Sequence, residues 1–367
     1  GVLGDFTGPF IVDDAASTVK WIADYTPSQN FSGTDIITFS VIDDEGLGSF
    51  TDGTVSITIN AVNDAPILSA IGSKSFDEDN SLSVPLTYSD VDGDDLSVSV
   101  SSSNDNIEAI FEETNYLVLD GIDDYIEAGS NVDLRNSPFS IEIWYKSNPI
   151  SIGDATNIID NYGTSTSSSA NSWNLHIGGV NNGINHGKAL WSSKGMQLES
   201  SDRIDDGLWH HIVVERYNNA SIKMYIDGTL SSSSTLNLEE EIYSGSNILI
   251  GSRHYNRFHA CNIGQVMISK QNKYYDSFVP SLNFTVNENS ILYLQMIEDN
   301  DSNTIIDLSG SDNHATVYGD PIENILSQMT LSSNENYNGS AIISAIISEV
   351  DGEYQTSESF AVTINPV

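Results

Sequence analysis

The chain has 367 residues, enough for two or three domains, and sets 13 Lys plus Arg against 52 Asp plus Glu for a formal charge of −39. So few cations exclude a nucleic-acid binder, which must neutralise phosphates, and an anionic membrane surface would repel the chain. A single cysteine, Cys261, excludes an internal disulfide and zinc sites built on several thiolates.

With 39 % hydrophobic residues the chain can build cores, so its acidity does not signal wholesale disorder. The aliphatic run Ala341 to Ile347 is interrupted by Ser344 and falls far short of the ~20 residues that span a bilayer, so no direct membrane insertion is expected. The opening Gly1-Val2-Leu3-Gly4 carries no basic-then-apolar signal and reads as an internal cut from a longer protein.

Taken in chain order, the acid is clustered. Asp43-Asp44-Glu45-Gly46, Asn63-Asp64-Ala65-Pro66, Asp77-Glu78-Asp79 and Asp90-Val91-Asp92-Gly93-Asp94-Asp95 concentrate carboxylates around turn residues. Charges about 5 Å apart repel by roughly 3 kcal/mol per pair at an effective dielectric near 20. A hard dication taking six to eight oxygens offsets that repulsion, with glycine allowing the tight turn. The alternative is a set of solvated turns, where Asp, Asn and Gly are common anyway. Four such runs in a base-poor chain favour calcium at two or more of them, and magnesium, which prefers octahedral sites retaining water, fits less well.

An internal repeat gives the organisation. Asn30-Phe31-Ser32-Gly33-Thr34 recurs as Asn336-Tyr337-Asn338-Gly339-Ser340, and the match continues through Ile36-Ile37 with Ile342-Ile343, Val41 with Ile347 and Asp43 with Glu349. One shortened loop later, Ile59-Asn60-Ala61-Val62 aligns with Ile364-Asn365-Pro366-Val367. Each copy alternates in the manner of β-sandwich strands joined by Asp/Gly turns. The separation is far too long for tandem sandwiches of about 100 residues, so the second copy is expected to begin at 63–112 and to carry a large insertion.

Asn30 to Asp35, leading to Val41-Ile42-Asp43-Asp44 and then Ala61-Val62-Asn63-Asp64-Ala65-Pro66, resembles the cadherin-like repeats of large bacterial repeats-in-toxin (RTX) adhesins. Phe76-Asp77-Glu78-Asp79 through Leu82, Leu86 and Asp90 to Asp94 resembles the opening of the next repeat. The resemblance implies calcium at the repeat junctions, on Asp64, Glu78, Asp90, Asp92 and Asp94, with Asp43 in the earlier acidic run. It also implies neighbouring repeats of the same chain as partners, and a location outside the cell on a bacterial surface.

The insertion has its own elements. Tyr116 to Ile126 is followed by Phe139-Ser140-Ile141-Glu142-Ile143-Trp144-Tyr145-Lys146, whose alternation predicts a strand with one buried face. Asp206-Gly207-Leu208-Trp209-His210-His211-Ile212-Val213-Val214 precedes Ile222 to Gly228, where Asp227-Gly228 predicts a two-residue hairpin. Ile248-Leu249-Ile250-Gly251, Gly264 to Ile268 and Asp307 to Ala315 complete the series. In this order the segments resemble laminin G-like members of the concanavalin A-like jelly-roll superfamily, which commonly bind carbohydrate. The resemblance implies a calcium corner of Asp120, Asp123 and Asp124 with Asp307, Ser309 and Asn313; the alternative is turn-forming residues with no metal.

The expected fold class is therefore all-β. It comprises a cadherin-like domain at 1–62 truncated at its start, a split cadherin-like domain at 63–113 and 321–367, and a laminin G-like domain at 114–320. Closing a flexible loop of ~200 residues costs on the order of 5 kcal/mol, so residues near Thr114 and Asp320 should lie on neighbouring strands.

For ligand binding, a pyranose needs aromatic faces for its apolar side and planar polar groups for its hydroxyls. Arg253-His254-Tyr255-Asn256-Arg257-Phe258-His259 supplies both, and Trp191 with Asp160-Asn161 are further candidates for the same rim. The alternative places Phe258 and Trp191 in the core. Adjacent strand residues face opposite ways, so His210 and His211 are expected to be one packed and one exposed residue rather than a chelating pair. Catalysis is not expected: no Glu-x-Asp-x-Glu run flanks a cleavable bond, no Gly-x-Ser-x-Gly elbow occurs, and Glu142 and Glu215 read as single exposed strand residues. The expected function is a calcium-dependent, monomeric adhesin region holding glycans of another cell or surface. A spacer and a protein- or peptide-binding module are the alternatives.

Overall fold

Every regular element among the described residues is a β-strand. The computed structural model describes residues 1–367 apart from 5–6, 14–17, 41–47, 49–51, 130–131, 135–137, 149–155, 162–172, 180–185, 194–195, 218–220, 236–246, 254–256 and 300–302. Two units are formed, one of Gly1–Gly72, Thr87–Ser99 and Ser344–Phe360, the other of Ser73–Leu86, Val100–Ile343 and Ala361–Val367.

The first unit is built from antiparallel pairs. Gly33–Phe39 pairs with Gly53–Ile59 over seven positions, from Gly33 opposite Ile59 to Phe39 opposite Gly53. Ile67–Leu68 pairs with Tyr88–Ser89, the Val350 N–H donates to the Asp95 carbonyl at 2.9 Å, and Ser97 Oγ donates to the Ser348 carbonyl at 3.2 Å.

The second unit is dominated by two sheets of nine strands each among the described residues. The first sheet runs in the order Thr229–Thr235, Ser221–Ile226, Trp209–Arg216, Phe139–Ser147, Ala260–Ser269, Ile107–Asp120, Ile322–Ser333 and Ser81–Pro85, with Ser290–Leu294 beside the end of Ala260–Ser269. The second runs Met196–Arg203, Lys188–Ser193, Trp173–Ile177, Thr156–Asp160, Ile248–Ile250, Tyr125–Ala128, Ala315–Tyr318, Thr304–Ile305 and Glu298–Asp299. Alternate residues of both sheets, among them Leu117, Ile126, Ile141, Ile143, Leu175, Ile212, Ile250 and Ile263, meet in one core. Each such side chain contributes about 1.5–3 kcal/mol on burial.

The Asp-Gly hairpin forms as its sequence predicts. Asp227 (φ 51°) and Gly228 (φ 77°) both occupy left-handed backbone and join Ile226 to Thr229. Gly228 is required twice over, because a Cβ there would sit 1.8 Å from the carbonyl oxygen of Phe278.

Phe139–Ser147 departs from its one-sided expectation. Phe139, Ile141, Ile143 and Tyr145 enter the core, yet Glu142 and Trp144 are buried as well. Residues 271–284 cover the other face of the sheet: Trp144 Nε1 donates to the Ser281 carbonyl at 3.0 Å, and Trp144 packs with Leu282 and Phe284.

The segments around Thr114 and Asp320 are adjacent, as expected from sequence. Ile107–Asp120 and Ile322–Ser333 pair antiparallel over twelve positions, with Thr114 opposite Leu326 and Val118 opposite Ile322. The Asp320 N–H then donates to Asp124 Oδ1 at 2.9 Å.

Candidate functional site

The second sheet carries a polar face opposite its core face. Trp173, Leu175 and Ile177 point into the core, so Asn174 and His176 point the other way. On the neighbouring strand a bulge between Asn157 and Ile159 lets Ile158 and Ile159 both reach the core, leaving Asn157 and Asp160 beside Asn174. Asn174 Nδ2 donates to Asn157 Oδ1 at 3.1 Å and to His176 Nδ1 at 3.1 Å, which places the ring proton on Nε2. Asn157 Nδ2 donates to Asp160 Oδ2 and, at 3.3 Å, to the Ser252 carbonyl.

All five of these residues are buried, and burial together with the nearby Arg253 and His259 lowers the His176 pKa to about 4. The ring is therefore neutral at pH 7 and can both donate and accept. Asn174 Oδ1 and Ser252 Oγ are buried with no hydrogen-bond partner among the described residues. An unsatisfied buried polar atom costs about 1–3 kcal/mol, a cost that a hydroxyl-bearing ligand would remove.

Of the candidates named from sequence, Asp160, Arg253 and His259 come together around this network. Asn161 lies beside it, its Oδ1 accepting the Trp173 N–H at 2.8 Å. His254, Tyr255 and Asn256 lie outside the described residues, and Arg257 is described only through its backbone, which pairs with Arg253. Trp191 is corrected to a core residue: it is fully buried and stacked on Trp173 with ring centroids 5.1 Å apart. Asn157, Asn174 and His176 were missed, although the alternation Trp173-Asn174-Leu175-His176-Ile177 was visible.

In the first unit, Asp90, Asp94 and Glu349 each direct one oxygen to within 4.8 Å of the others. Asp90 Oδ1 accepts the Asp92 N–H at 2.7 Å, and Glu349 Oε2 accepts Asn63 Nδ2 at 3.0 Å and the Tyr354 N–H at 3.1 Å. The second oxygens, Asp90 Oδ2 and Glu349 Oε1, are buried without a hydrogen-bond partner among the described residues. Burial, and then Asp90, Asp351, Asp92 and Asp95, push the Asp94 carboxyl above its ordinary value, and burial does the same to Glu349. Oriented, inward-facing, uncompensated carboxylate oxygens fit a hard dication such as Ca²⁺.

Asp92 and Asp64 support this cluster from beside it, the Asp64 N–H donating to Asp92 Oδ2 at 2.8 Å. Glu349 was not named as a ligand, though its repeat partner Asp43 was; Asp43 itself lies outside the described residues. Glu78 belongs to the second unit, where its oxygens accept the Val367 N–H at 2.9 Å and Asn338 Nδ2 at 3.2 Å.

The expected calcium corner divides in two. Asp120, Asp123 and Asp124 converge within 4.8 Å, but both Asp124 oxygens already accept backbone N–H groups, from Asp120 at 2.8 Å and Asp320 at 2.9 Å. Burial raises the Asp124 pKa. Asp307, by contrast, is the hub of a hydrogen-bonded turn. Its Oδ1 accepts Tyr293 N–H (2.8 Å) and Ser309 N–H (2.9 Å), and its Oδ2 accepts Ser309 Oγ (2.9 Å) and Asn313 N–H (3.0 Å). Those four bonds occupy the Asp307 carboxylate's acceptor capacity, with Ser309 and Asn313 among its donors.

Two further expectations are corrected. Glu142 and Glu215 are fully buried, not exposed. Glu142 meets Lys273 Nζ at 2.6 Å and Tyr274 OH at 2.8 Å, while Glu215 accepts the Lys273 N–H at 2.7 Å and Tyr217 OH at 2.6 Å. His210 and His211 are both buried on opposite faces. His210 is held between Asp227 (2.8 Å) and Asp206 (3.1 Å), and His211 lies among the rings of Trp144, Phe278 and Phe284.

Comparison with known proteins places this geometry. The family model Laminin_G_3, of the concanavalin A-like lectin/glucanases superfamily, matches residues 120–272. Similar solved structures include a candidate carbohydrate binding protein from Bacteroides ovatus, at 14 % identity over 79 % of this chain and 78 % of that one with a TM-score of 0.47. Domains LG4-5 of the mouse laminin alpha1 chain match at 14 % identity over 42 % of each chain, TM-score 0.33. The Ruminococcus gnavus IT-sialidase CBM40 matches at 13 % identity over 42 % of this chain and 90 % of that one, TM-score 0.32. No curated protein matches the chain. Residues 120–272 therefore form a laminin G-like, concanavalin A-like lectin-fold region within an all-β chain.

Proposed function

We propose that the chain is the ligand-holding region of a bacterial cell-surface adhesin, in which the lectin-fold domain binds carbohydrate and cadherin-like repeats stiffened by Ca²⁺ carry it. The domain division is the one expected from sequence: 1–62, then 63–113 with 321–367, with 114–320 inserted. The observation that carries the binding reading is the polar face of the second sheet. There the buried acceptor Asn174 Oδ1 and the hydroxyl of Ser252 stand beside Arg253, His259 and the neutral ring of His176. A sugar hydroxyl can donate to Asn174 Oδ1 and accept from His176 Nε2, and burial strengthens both bonds.

Asp90, Asp94 and Glu349 are the residues that would hold Ca²⁺, supplying hard oxygen ligands at the base of the first unit's turn. The reading is of binding without catalysis: among the described residues, the buried carboxylates of the first sheet, Glu142 and Glu215, are occupied by Lys273, Tyr274 and Tyr217.

A glycan array probed with the full chain, in calcium and after chelation, tests the proposal. Signal on at least one glycan class supports it. No signal in calcium-replete buffer, with the chain folded, removes the carbohydrate reading and leaves the spacer or peptide-binding alternatives.

A further inference from the structure

The outward face of the second sheet changes character from one side to the other. Asn174 and His176 lie at its polar end; four strand steps away stands an aromatic end, about 19 Å distant at ~4.8 Å per step. Tyr125 and Tyr318 are directly paired across neighbouring strands, and because Ile126 and Val317 fill the core, both tyrosines point outward. Their rings are stacked with centroids 4.4 Å apart and planes 2° from parallel. Phe258 extends the array, 5.8 Å from Tyr125. Tyr318 is 39 % exposed, and its hydroxyl is hydrogen-bonded to Glu127 on the same face.

The short hairpin of Ser252–Arg253 and Arg257–Phe258 joins the two ends, with Arg253 close to His176 and Phe258 against Tyr125. A rigid tyrosine pair offers a flat apolar surface with polar tips at low entropic cost on binding. Parallel stacking fixes the ring plane before any ligand arrives.

The geometry points to Tyr318, backed by Tyr125 and Phe258, as a stacking platform for one pyranose ring of a neutral saccharide, taken on the Tyr318 face turned away from Tyr125. This rests on the carbohydrate reading above and names its ligand class and its stacking surface. Neutrality applies at the stacking position alone: Glu127 sits beside the platform in a chain carrying −39, so an anionic ring is repelled there, while Arg253 and His259 stand near His176 away from it.

The test uses the full chain with four probes, lactose, maltotriose, cellotriose and sialyllactose, measured by saturation-transfer NMR and calorimetric titration. The expected result is binding of at least one neutral probe, with saturation concentrated on the C–H protons of one pyranose face. Affinity should fall at least tenfold in Tyr318→Ala and stay within threefold in Tyr318→Phe, which also covers the case of an unfolded alanine variant. If a neutral probe binds and Tyr318→Ala changes its affinity less than twofold, or saturation is spread evenly over the sugar, the platform is wrong while carbohydrate binding stands. Binding of sialyllactose alone overturns the neutral class. Failure of the wild type to bind any of these probes or any glycan on the array overturns the carbohydrate reading itself, and the platform with it.

Discussion

Lys273 places its Nζ 2.6 Å from Oε1 of Glu142, a carboxylate with no exposed surface. Burial pushes the Glu142 pKa up, and the ammonium together with Tyr274 OH pulls it back. The same lysine's backbone N–H bonds Glu215, so one residue fastens the covering segment to two strands of the first sheet.

Removing one partner strands the other charge, which costs far more than removing both. Lys273→Met should destabilise the second unit by about 3–5 kcal/mol, and Lys273→Met combined with Glu142→Leu should recover most of the loss. Urea titrations of the three proteins check this. A single variant as stable as the wild type would show that the pair does not hold the segment.

The buried histidines give stability a pH dependence. Burial lowers the pKa of His211 to about 3 and of His176 to about 4. In the unfolded chain each protonates near 6.5, so the unfolded state binds more protons below that pH. Stability is therefore complete above 6.5, falls with acidification, and stops falling near 3 and 4 respectively. Each histidine accounts for about 2 kcal/mol between pH 7 and 5. Glu142, raised by burial, and His210, raised by its bonds to Asp227 and Asp206, have the opposite sign in this window. Comparing wild type with His211→Phe cancels the His210 contribution, and because Glu142 Oε2 lies 3.7 Å from His211 Nε2 the comparison is made beside Glu142→Gln; the histidine variant should lose about 2 kcal/mol less over the same range.

Chelation distinguishes the acidic clusters. A cation binding only the folded state at a hundredfold over its Kd stabilises by about 2.7 kcal/mol, so calcium should raise the melting temperature of the first unit, and Glu349→Gln should abolish that increment. Asp307→Ala should instead destabilise by a few kcal/mol, with the same shift in calcium and in chelator, because its partners are protein N–H groups. A calcium-dependent effect at Asp307 would restore the corner expected from sequence.

Side chains of the second sheet should separate by face. Asn174→Ala and His176→Ala should weaken glycan binding with a modest change in melting temperature. Trp191→Ala should cost about 3–5 kcal/mol of stability, as expected for a large core aromatic.

Local patterns carried much of this architecture. The alternation of Phe139 to Lys146, the Asp227-Gly228 turn and the pairing of the strands around Thr114 and Ile322 follow from periodicity, turn chemistry and loop entropy. What failed was any inference about which second face is covered. Glu142 and Glu215 read as exposed because nothing in their own strands announces residues 271–284 lying over them. Trp191 was placed at a rim by its aromatic character, whereas its strand position aims it at Trp173. Asp307 was indistinguishable from a metal ligand until its four donors were in place. The binding face was half legible: Arg253 and His259 stood out in a base-poor chain, but Asn157 joins them only through a bulge that sequence does not encode visibly.

The twelve-position ladder between Ile107–Asp120 and Ile322–Ser333 also has a mechanical meaning. Antiparallel ladder bonds lie perpendicular to the strands. In the proposed attachment role, a pull on a ligand held by the lectin-fold domain would run lengthwise through both polypeptide backbones at once. Tension would be divided between two covalent cables, and the rungs linking them would stay out of the loaded direction.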